Sequence, residues 1–116
     1  MNNELKVRTK LFALSIIKFV QDLPKNSISN VIGNQLLRSG TSVGANYRAA
    51  CRARCQAEFI SKMGIVEEEA DETIYWLEIL TEAKIIAGKN AENLLKEANE
   101  ILSMTVASIK TAKKNK

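Results

Sequence analysis

The sequence predicts an all-α protein, an antiparallel up-down-up-down four-helix bundle. Good helix formers, chiefly Ala, Leu, Ile, Glu and Lys, dominate the 116 residues, and Pro24 is the single proline. Apolar residues return every three or four positions, which is the period of a helix and not of a strand. Four such segments with short connections pack in alternating directions. The length suits one domain, residues 1–116.

The first helix is predicted over residues 4–22. Its inward stripe has the spacing of one helix face and consists of Leu5, Thr9, Phe12, Ile16, Phe19 and Leu23. Pro24 ends the helix because it cannot continue the hydrogen-bond ladder and restricts the residue before it. Ser27 is the predicted N-cap of the next helix.

The second helix is predicted over residues 28–54. Its inner face consists of Ile32, Leu36, Val43, Tyr47 and Ala50. Gly40 and Gly44, among serine and threonine, weaken its middle. Either the helix bends there or the small residues let a neighbouring helix approach closely. We favour close approach, because the stretch has no proline and glycine permits backbone contact.

The third and fourth helices are predicted over residues 56–87 and 91–112. The third carries the longest stripe, which consists of Phe59, Met63, Val66, Ala70, Ile74, Leu77 and Leu80. Its length of about 45 Å requires packing partners along the whole helix. Gly88 suits a left-handed C-cap of the third helix and Asn90 an N-cap of the fourth. A basic tail, residues 110–116, is expected to fray.

Missing residue types exclude several kinds of site. The chain has no histidine, which removes histidine-dependent nucleophiles and the Glu-x-x-His pairs of di-iron bundles. Cys51 and Cys55 are poorly spaced for a disulfide and too few for zinc, so we expect reduced thiols, no metal and no cofactor. The sequence has no apolar run that could cross a membrane and no signal-peptide pattern, and a cytoplasmic location is expected.

Charge is distributed in three blocks. Residues 1–54 contain nine basic residues (Lys and Arg) and two acidic ones (Asp and Glu). Residues 55–87 contain two basic and eight acidic residues, and residues 88–116 contain six basic and three acidic residues. The net charges of the blocks are therefore +7, −6 and +3, within a total of +4. Basic segments that flank an acidic one help helices to pair and leave basic surface elsewhere.

Two motifs resemble a known family. Residues 38–46 have the pattern R-S-x-x-S-V-x-x-N, and residues 69–77 the pattern E-x-x-E-T-x-Y-W-L. Together they resemble the four-helix-bundle proteins named after the intervening sequences of 23S ribosomal RNA genes. The resemblance implies a ring, expected to be a homopentamer. It also implies a looser similarity to the accessory variability proteins of diversity-generating retroelements, which engage a reverse transcriptase and nucleic acid. The family has no settled catalytic residues, so no catalytic residue is assigned.

An arginine stripe on the second helix is the candidate nucleic-acid-binding surface. Arg38, Arg48 and Arg52 fall within about 80° of one another on a helical wheel, away from the inner face. The guanidinium fork suits phosphate, and a ring of subunits would multiply the stripe. No aromatic residue is interleaved with the arginines, so backbone contact is predicted rather than base stacking. Two alternatives stay open: a solvated face, or pairing of Arg38 with Glu69 or Glu72.

A cluster of carboxylates suggests a second kind of site. The pairs Glu69/Glu72 and Glu97/Glu100 echo the E-x-x-E motifs that hold magnesium in all-helical nucleotide pyrophosphohydrolases. Glu100 lies opposite the apolar face of the fourth helix and should face water. Solvated or ion-paired carboxylates are therefore the favoured interpretation, and a magnesium-dependent pyrophosphohydrolase is an alternative function.

An outer apolar stripe on the third helix is the predicted interface between subunits. It consists of Ile65, Tyr75, Trp76 and Ile79, which lie off the core stripe. The alternative is a wide buried face. The leading functional hypothesis is a non-enzymatic homo-oligomer that binds RNA or DNA backbone, and the runner-up is a protein-interaction scaffold that binds a protein partner.

Overall fold

The structure is a computed structural model that describes residues 3–115, and Met1, Asn2 and Lys116 of the predicted domain and tail lie outside them. The described residues contain no strand and form four helices: α1 (Asn3–Gln21), α2 (Ser27–Cys51), α3 (Gln56–Glu82) and α4 (Gly88–Lys114). Helices α1 and α3 each pack against α2 and α4, and neither diagonal pair is in contact over this range. The arrangement measures 48 × 20 × 19 Å and fits a four-helix bundle.

The core consists largely of the stripes that the periodicity predicts. All the predicted stripe residues of α3 are buried except Phe59, which is half-buried, and Leu36, Val43, Tyr47 and Ala50 of α2 are buried. On α1 the predicted stripe is buried except for Phe19, which packs against the core from its edge. Within residues 3–115, none of the helices is long and apolar enough to span a membrane.

Helices α1 and α2 approach each other closely at glycines. A Cβ atom at Gly40 would lie 2.9 Å from the side chain of Ile16, and one at Gly44 would lie 3.2 Å from the carbonyl oxygen of Thr9. Helix α2 continues unbroken through both positions. The prediction of close approach is therefore confirmed, and the small residues bring the two backbones together.

Two helix starts differ from the predicted ones. Asn26, not Ser27, caps α2, because its side chain accepts a hydrogen bond from the backbone N–H of Ser29 (2.9 Å). Ala87, not Asn90, occupies the N-cap position of α4. Helix α4 also runs on to Lys114, so most of the predicted frayed tail is helical.

The end of α3 is the largest departure from the predicted bounds. The helix ends at Glu82 because Lys84 adopts a left-handed conformation (φ 62°). The N–H of Lys84 donates to the carbonyl of Thr81 and the N–H of Ile85 to that of Leu80, both at 3.0 Å, which is a Schellman cap. This turn packs Ile85 against the core. The prediction that Gly88 caps the helix is therefore wrong, and Gly88 begins α4 instead.

The two cysteines lie near the connection between α2 and α3. Both are free: Cys51 is half-buried and Cys55 is exposed at the N-cap position of α3. Burial raises the pKa of Tyr47 to about 12, and its hydrogen bond with Cys51 adds to the rise. Tyr47 is therefore a neutral core residue at neutral pH.

Candidate nucleic-acid interface

A basic groove runs between α1 and α2. Its volume is about 210 Å³, and Lys6 and Lys10 of α1 and Arg48 of α2 supply its charged lining. Its remaining lining is small, and consists of Thr9, Ala13, Thr41, Gly44 and Ala45. Helix α2 contains no acidic residue, and α1 contains only Glu4. The groove is therefore a surface of one charge sign.

One of the three predicted arginines, Arg48, lines this groove. It is exposed on α2, and Arg52, which is also exposed, is the C-cap residue just past the end of that helix. Sequence reasoning missed Lys6 and Lys10. Part of their signal is present in the sequence, because a helical wheel places Lys6 next to Ala13 at the edge of the inward stripe, whereas Lys10 lies further round, toward the outer face of α1.

The third predicted arginine, Arg38, is bound by α3. Its Nη1 lies 3.3 Å from Oε1 of Glu69, and its Nη2 donates to Oε2 of Glu72. The guanidinium also contacts the side-chain oxygen of Gln35 at 3.4 Å. Pairing with Glu69 and Glu72 is the alternative that the sequence left open. Arg38 is thus drawn away from the basic groove, although its side chain remains 47% exposed.

A second arginine, Arg8, binds two glutamates on the opposite side of the bundle. Its Nε donates to Oε2 of Glu97 at 2.9 Å, and its Nη2 donates at 2.6 Å to Oε1 of both Glu97 and Glu100. Glu4 adds a longer ion pair of 3.7 Å. Sequence reasoning missed this cluster, because no pattern in the sequence shows that residues 8 and 97 are neighbours. We call the clusters around Arg8 and Arg38 the α1–α4 clamp and the α2–α3 clamp.

The α1–α4 clamp shifts the pKa values of Glu97 and Arg8. The hydrogen bonds from Arg8 hold the pKa of Glu97 below its ordinary value, against an opposing effect of partial burial. The same bonds, to Glu97 first and Glu100 second, raise the pKa of Arg8 above its ordinary value. Both groups are therefore charged throughout the neutral range, and the clamp is an ion pair.

The two carboxylate pairs do not form one metal site. Glu69 and Glu72 face α2, whereas Glu97 and Glu100 face α1, so different seams of the bundle separate them. Over residues 3–115, no group of three or more cysteine or carboxylate side chains is arranged to hold a metal ion. Both pairs of glutamates are ion-paired with an arginine, which agrees with the favoured interpretation from the sequence.

The predicted outer stripe of α3 is partly covered by its own chain. Ile65, Trp76 and Ile79 are half-buried, and Trp76 packs against the core. The indole N–H of Trp76 donates to Oε2 of Glu72 at 3.0 Å, which joins it to the α2–α3 clamp. Tyr75 is 52% exposed and packs edge-on against Trp76, with ring centroids 4.9 Å apart. The role of this stripe as a subunit interface stays a prediction.

Comparison with known proteins shows the family. The sequence profile described as 23S rRNA-intervening sequence protein matches residues 2–107. The chain belongs to this family. A crystal structure of a protein with unknown function from the S23 ribosomal protein family of Bacteroides thetaiotaomicron VPI-5482 is 36% identical, with a TM-score of 0.85. The match covers 91% of this chain and 98% of that chain. A search of the curated proteins finds no match.

Membership of the 23S rRNA-intervening sequence protein family fixes the fold more firmly than the function. The similar crystal structure covers most of this chain. That protein is itself described as having unknown function. The surfaces of this chain therefore have to indicate its function.

Proposed function

We propose that this protein is a cytoplasmic, non-enzymatic, oligomeric helical bundle that binds the phosphate backbone of RNA or DNA. The observation that carries the proposal is the basic α1–α2 groove, lined by Lys6, Lys10 and Arg48, and Arg52 adds an exposed cation at the C-cap of α2. Because α2 has no acidic residue, no carboxylate of its own helix neutralises Arg48. Such a surface attracts polyanions and gains affinity from the counterions it displaces.

The proposal includes an antiparallel, up-down-up-down order of the helices. Successive glycines along α2 lie near residues that are progressively earlier in the sequence: Gly33 near Leu23, Gly40 near Ile16, and Gly44 near Thr9. This order supports an antiparallel arrangement of α1 and α2. The side chain of Gln56, at the start of α3, donates to the carbonyl of Ala112, near the end of α4. Short connections between the helices support the same order.

The proposal also includes a ring-forming homo-oligomer, expected to be a pentamer. The sequence resemblance supports the subunit number, and the exposed ring of Tyr75 beside half-buried Trp76 supports a further contact at α3. The looser similarity to retroelement accessory proteins supports nucleic acid as the ligand. In a ring each basic groove would recur, and every additional phosphate contact would add salt-sensitive affinity.

A non-enzymatic role is favoured over magnesium-dependent hydrolysis by the arginine clamps. Each E-x-x-E pair is bound by an arginine of the neighbouring helix, Glu97/Glu100 by Arg8 and Glu69/Glu72 by Arg38. A guanidinium that satisfies both carboxylates competes directly with a divalent cation.

The test is a salt titration of binding to a fluorescent RNA. The triple variant K6A/R48A/R52A should weaken binding for all sequences alike and lower the slope of log K against log salt by about two to three units. The matched control is K89A/K110A/K113A, which removes the same charge from exposed positions of α4. The control should retain most of the affinity and nearly the full slope.

Two results would contradict the proposal. One is absence of binding by the unaltered protein to either RNA or DNA at low salt. The other is an equal loss of affinity in both triple variants, because net charge alone would then explain the binding.

A second candidate function is a protein-interaction scaffold. The observation that favours it lies at the start of α2, where Ile28 and Val31 are 63% and 64% exposed. Exposed large apolar residues often mark protein contacts. After nuclease treatment, a scaffold should still retain one protein in stoichiometric amount, and the I28S/V31S variant should lose it.

A further inference from the structure

Helix α1 carries an apolar stripe on the side that faces away from the core. Val7, Leu11 and Leu14 are 56%, 57% and 55% exposed. Their spacing of four and three residues places them on one helix face, opposite the buried stripe. Three large apolar side chains grouped in this way on a surface are typical of an association site.

The charge around this α1 stripe is mainly positive, since Glu4, the one acidic residue of α1, lies within about 20° of Leu11 but pairs with Arg8 at 3.7 Å. Lys18 lies within about 20° of both Val7 and Leu11 on a helical wheel, and Lys10 within about 40° of Leu14. Both lysines are exposed. The α1 stripe is therefore an apolar strip bordered by two lysines.

The outer stripe of α3 has the opposite border. Glu68 lies within about 20° of both Tyr75 and Ile79, and Glu82 lies within about 20° of Tyr75. Glu68 and Glu82 are exposed, as is Tyr75. The α3 stripe, which also includes half-buried Ile65 and Trp76, is therefore an apolar strip bordered by carboxylates.

The two stripes cannot cover each other within one chain. Helices α1 and α3 are diagonal in the bundle and make no contact over the described residues. We propose that the α1 stripe of one copy packs against the α3 stripe of a second copy, with Lys10 and Lys18 set among the acidic residues around Glu68. This pairing rests on the homo-oligomer of the proposed function and names the two surfaces that form it.

Charge selects this pairing over the symmetric ones. Two α1 stripes face to face would bring lysines together, and two α3 stripes would bring Glu68 and Glu82 together, and like charges across an interface oppose association. Contact between two different patches is head-to-tail, which forms closed rings when the rotation between copies closes. The same contact leaves Lys6 of α1 and Arg48 of α2 open in the basic groove between the two helices, whereas it takes up Lys10, which borders both surfaces.

Charge reversal tests the pairing by light scattering without nucleic acid. The unaltered protein should have a molar mass several times the 12.9 kDa of one chain. K10E/K18E alone and E68K/E82K alone should each fall to 12.9 kDa. An equal mixture of the two variants should associate into complexes larger than one chain, since each supplies the charge that the other lacks, but a closed ring of five would keep one like-charge contact. K89E/K110E, with the same charge change on α4, should keep the unaltered molar mass.

A second variant removes the apolar contact. L11S/L14S changes exposed side chains, so its helix content should be unchanged while its molar mass falls to that of one chain. Single variants that stay fully assembled, or a mixture that fails to associate, would overturn the pairing while leaving the homo-oligomer intact. An unaltered protein that is monomeric at every concentration would overturn both, and the RNA titration would then test the groove alone.

Discussion

Two seams of this bundle are bridged by an arginine that binds a pair of glutamates, but the seams differ in what else holds them. The seam between α2 and α3 has the most extensive helix packing in the described chain, and the one between α1 and α4 has the least. Arg8, at the sparse seam, is 23% exposed and meets three carboxylates. Arg38, at the dense seam, is 47% exposed and meets two.

The same combination, an arginine between two glutamates, therefore serves a different purpose at each seam. At the sparse seam the clamp supplies cohesion that packing does not, and the better shielded bonds of Arg8 suit that task. At the dense seam the clamp adds little cohesion, because exposed ion pairs contribute little to stability. There Glu72 also accepts the indole N–H of Trp76, so the clamp instead shapes the outer surface of α3.

The largest expected effect comes from removing Arg8. R8A should lower the free energy of unfolding by about 2 kcal/mol, because it leaves Glu97 and Glu100 without their charged donor at the least packed seam. The expected fall in Tm is about 8 °C. The matched control R38A should cost under about 1 kcal/mol and instead change Trp76 fluorescence. Equal losses in both variants, at one protein concentration, would remove the distinction between the clamps.

A third seam, between α1 and α2, differs from the two clamped seams because close packing at glycine stabilises it. G40A should lower stability by about 1–2 kcal/mol, since the added methyl group meets Ile16 at 2.9 Å. Its control is G64A on α3, where a Cβ meets no atom within 4 Å. G64A should raise stability by about 0.5–1 kcal/mol through helix propensity. Chemical denaturation measures both, and a neutral G40A would contradict close packing at this seam.

The smallest expected effect is the pH dependence of the α1–α4 clamp. The pKa of Glu97 is lowered in the folded state, so its pairing with Arg8 contributes fully above the ordinary value of about 4.5. That contribution is lost as pH falls through the folded-state pKa. The stability difference between unaltered protein and R8A should therefore shrink between pH 7 and pH 2.5. A difference that stays constant across this range would exclude Glu97 as the partner that matters.

The fold could be predicted because helix period and breakers are local signals. The four-and-three spacing from Leu5 to Leu23, and again from Phe59 to Leu80, depends only on neighbouring residues. The end of α3 could not be predicted in this way. Burial of Ile85 draws Lys84 into a conformation that lysine rarely adopts, and that is a tertiary effect overriding local preference.

The candidate surfaces could be predicted only in part for the same reason. A helical wheel places Arg48 and Arg52 on the outside of α2, but it cannot show which seam will bind Arg38 or Arg8. The exposure of Val7 and Leu14 is equally hidden, because apolar residues on a predicted helix are expected to face a core. Contacts between distant segments decide these points, and periodicity does not report them.

The most direct test of the central claim is the molar mass of the protein in solution, measured with and without a short RNA at low and at high salt. For the protein alone, we expect a molar mass several times the 12.9 kDa of one chain. We expect a larger complex with RNA at low salt, which dissociates to the free oligomer as salt rises. A species of 12.9 kDa whose mass is unchanged by RNA at low salt would contradict both the assembly and the basic interface.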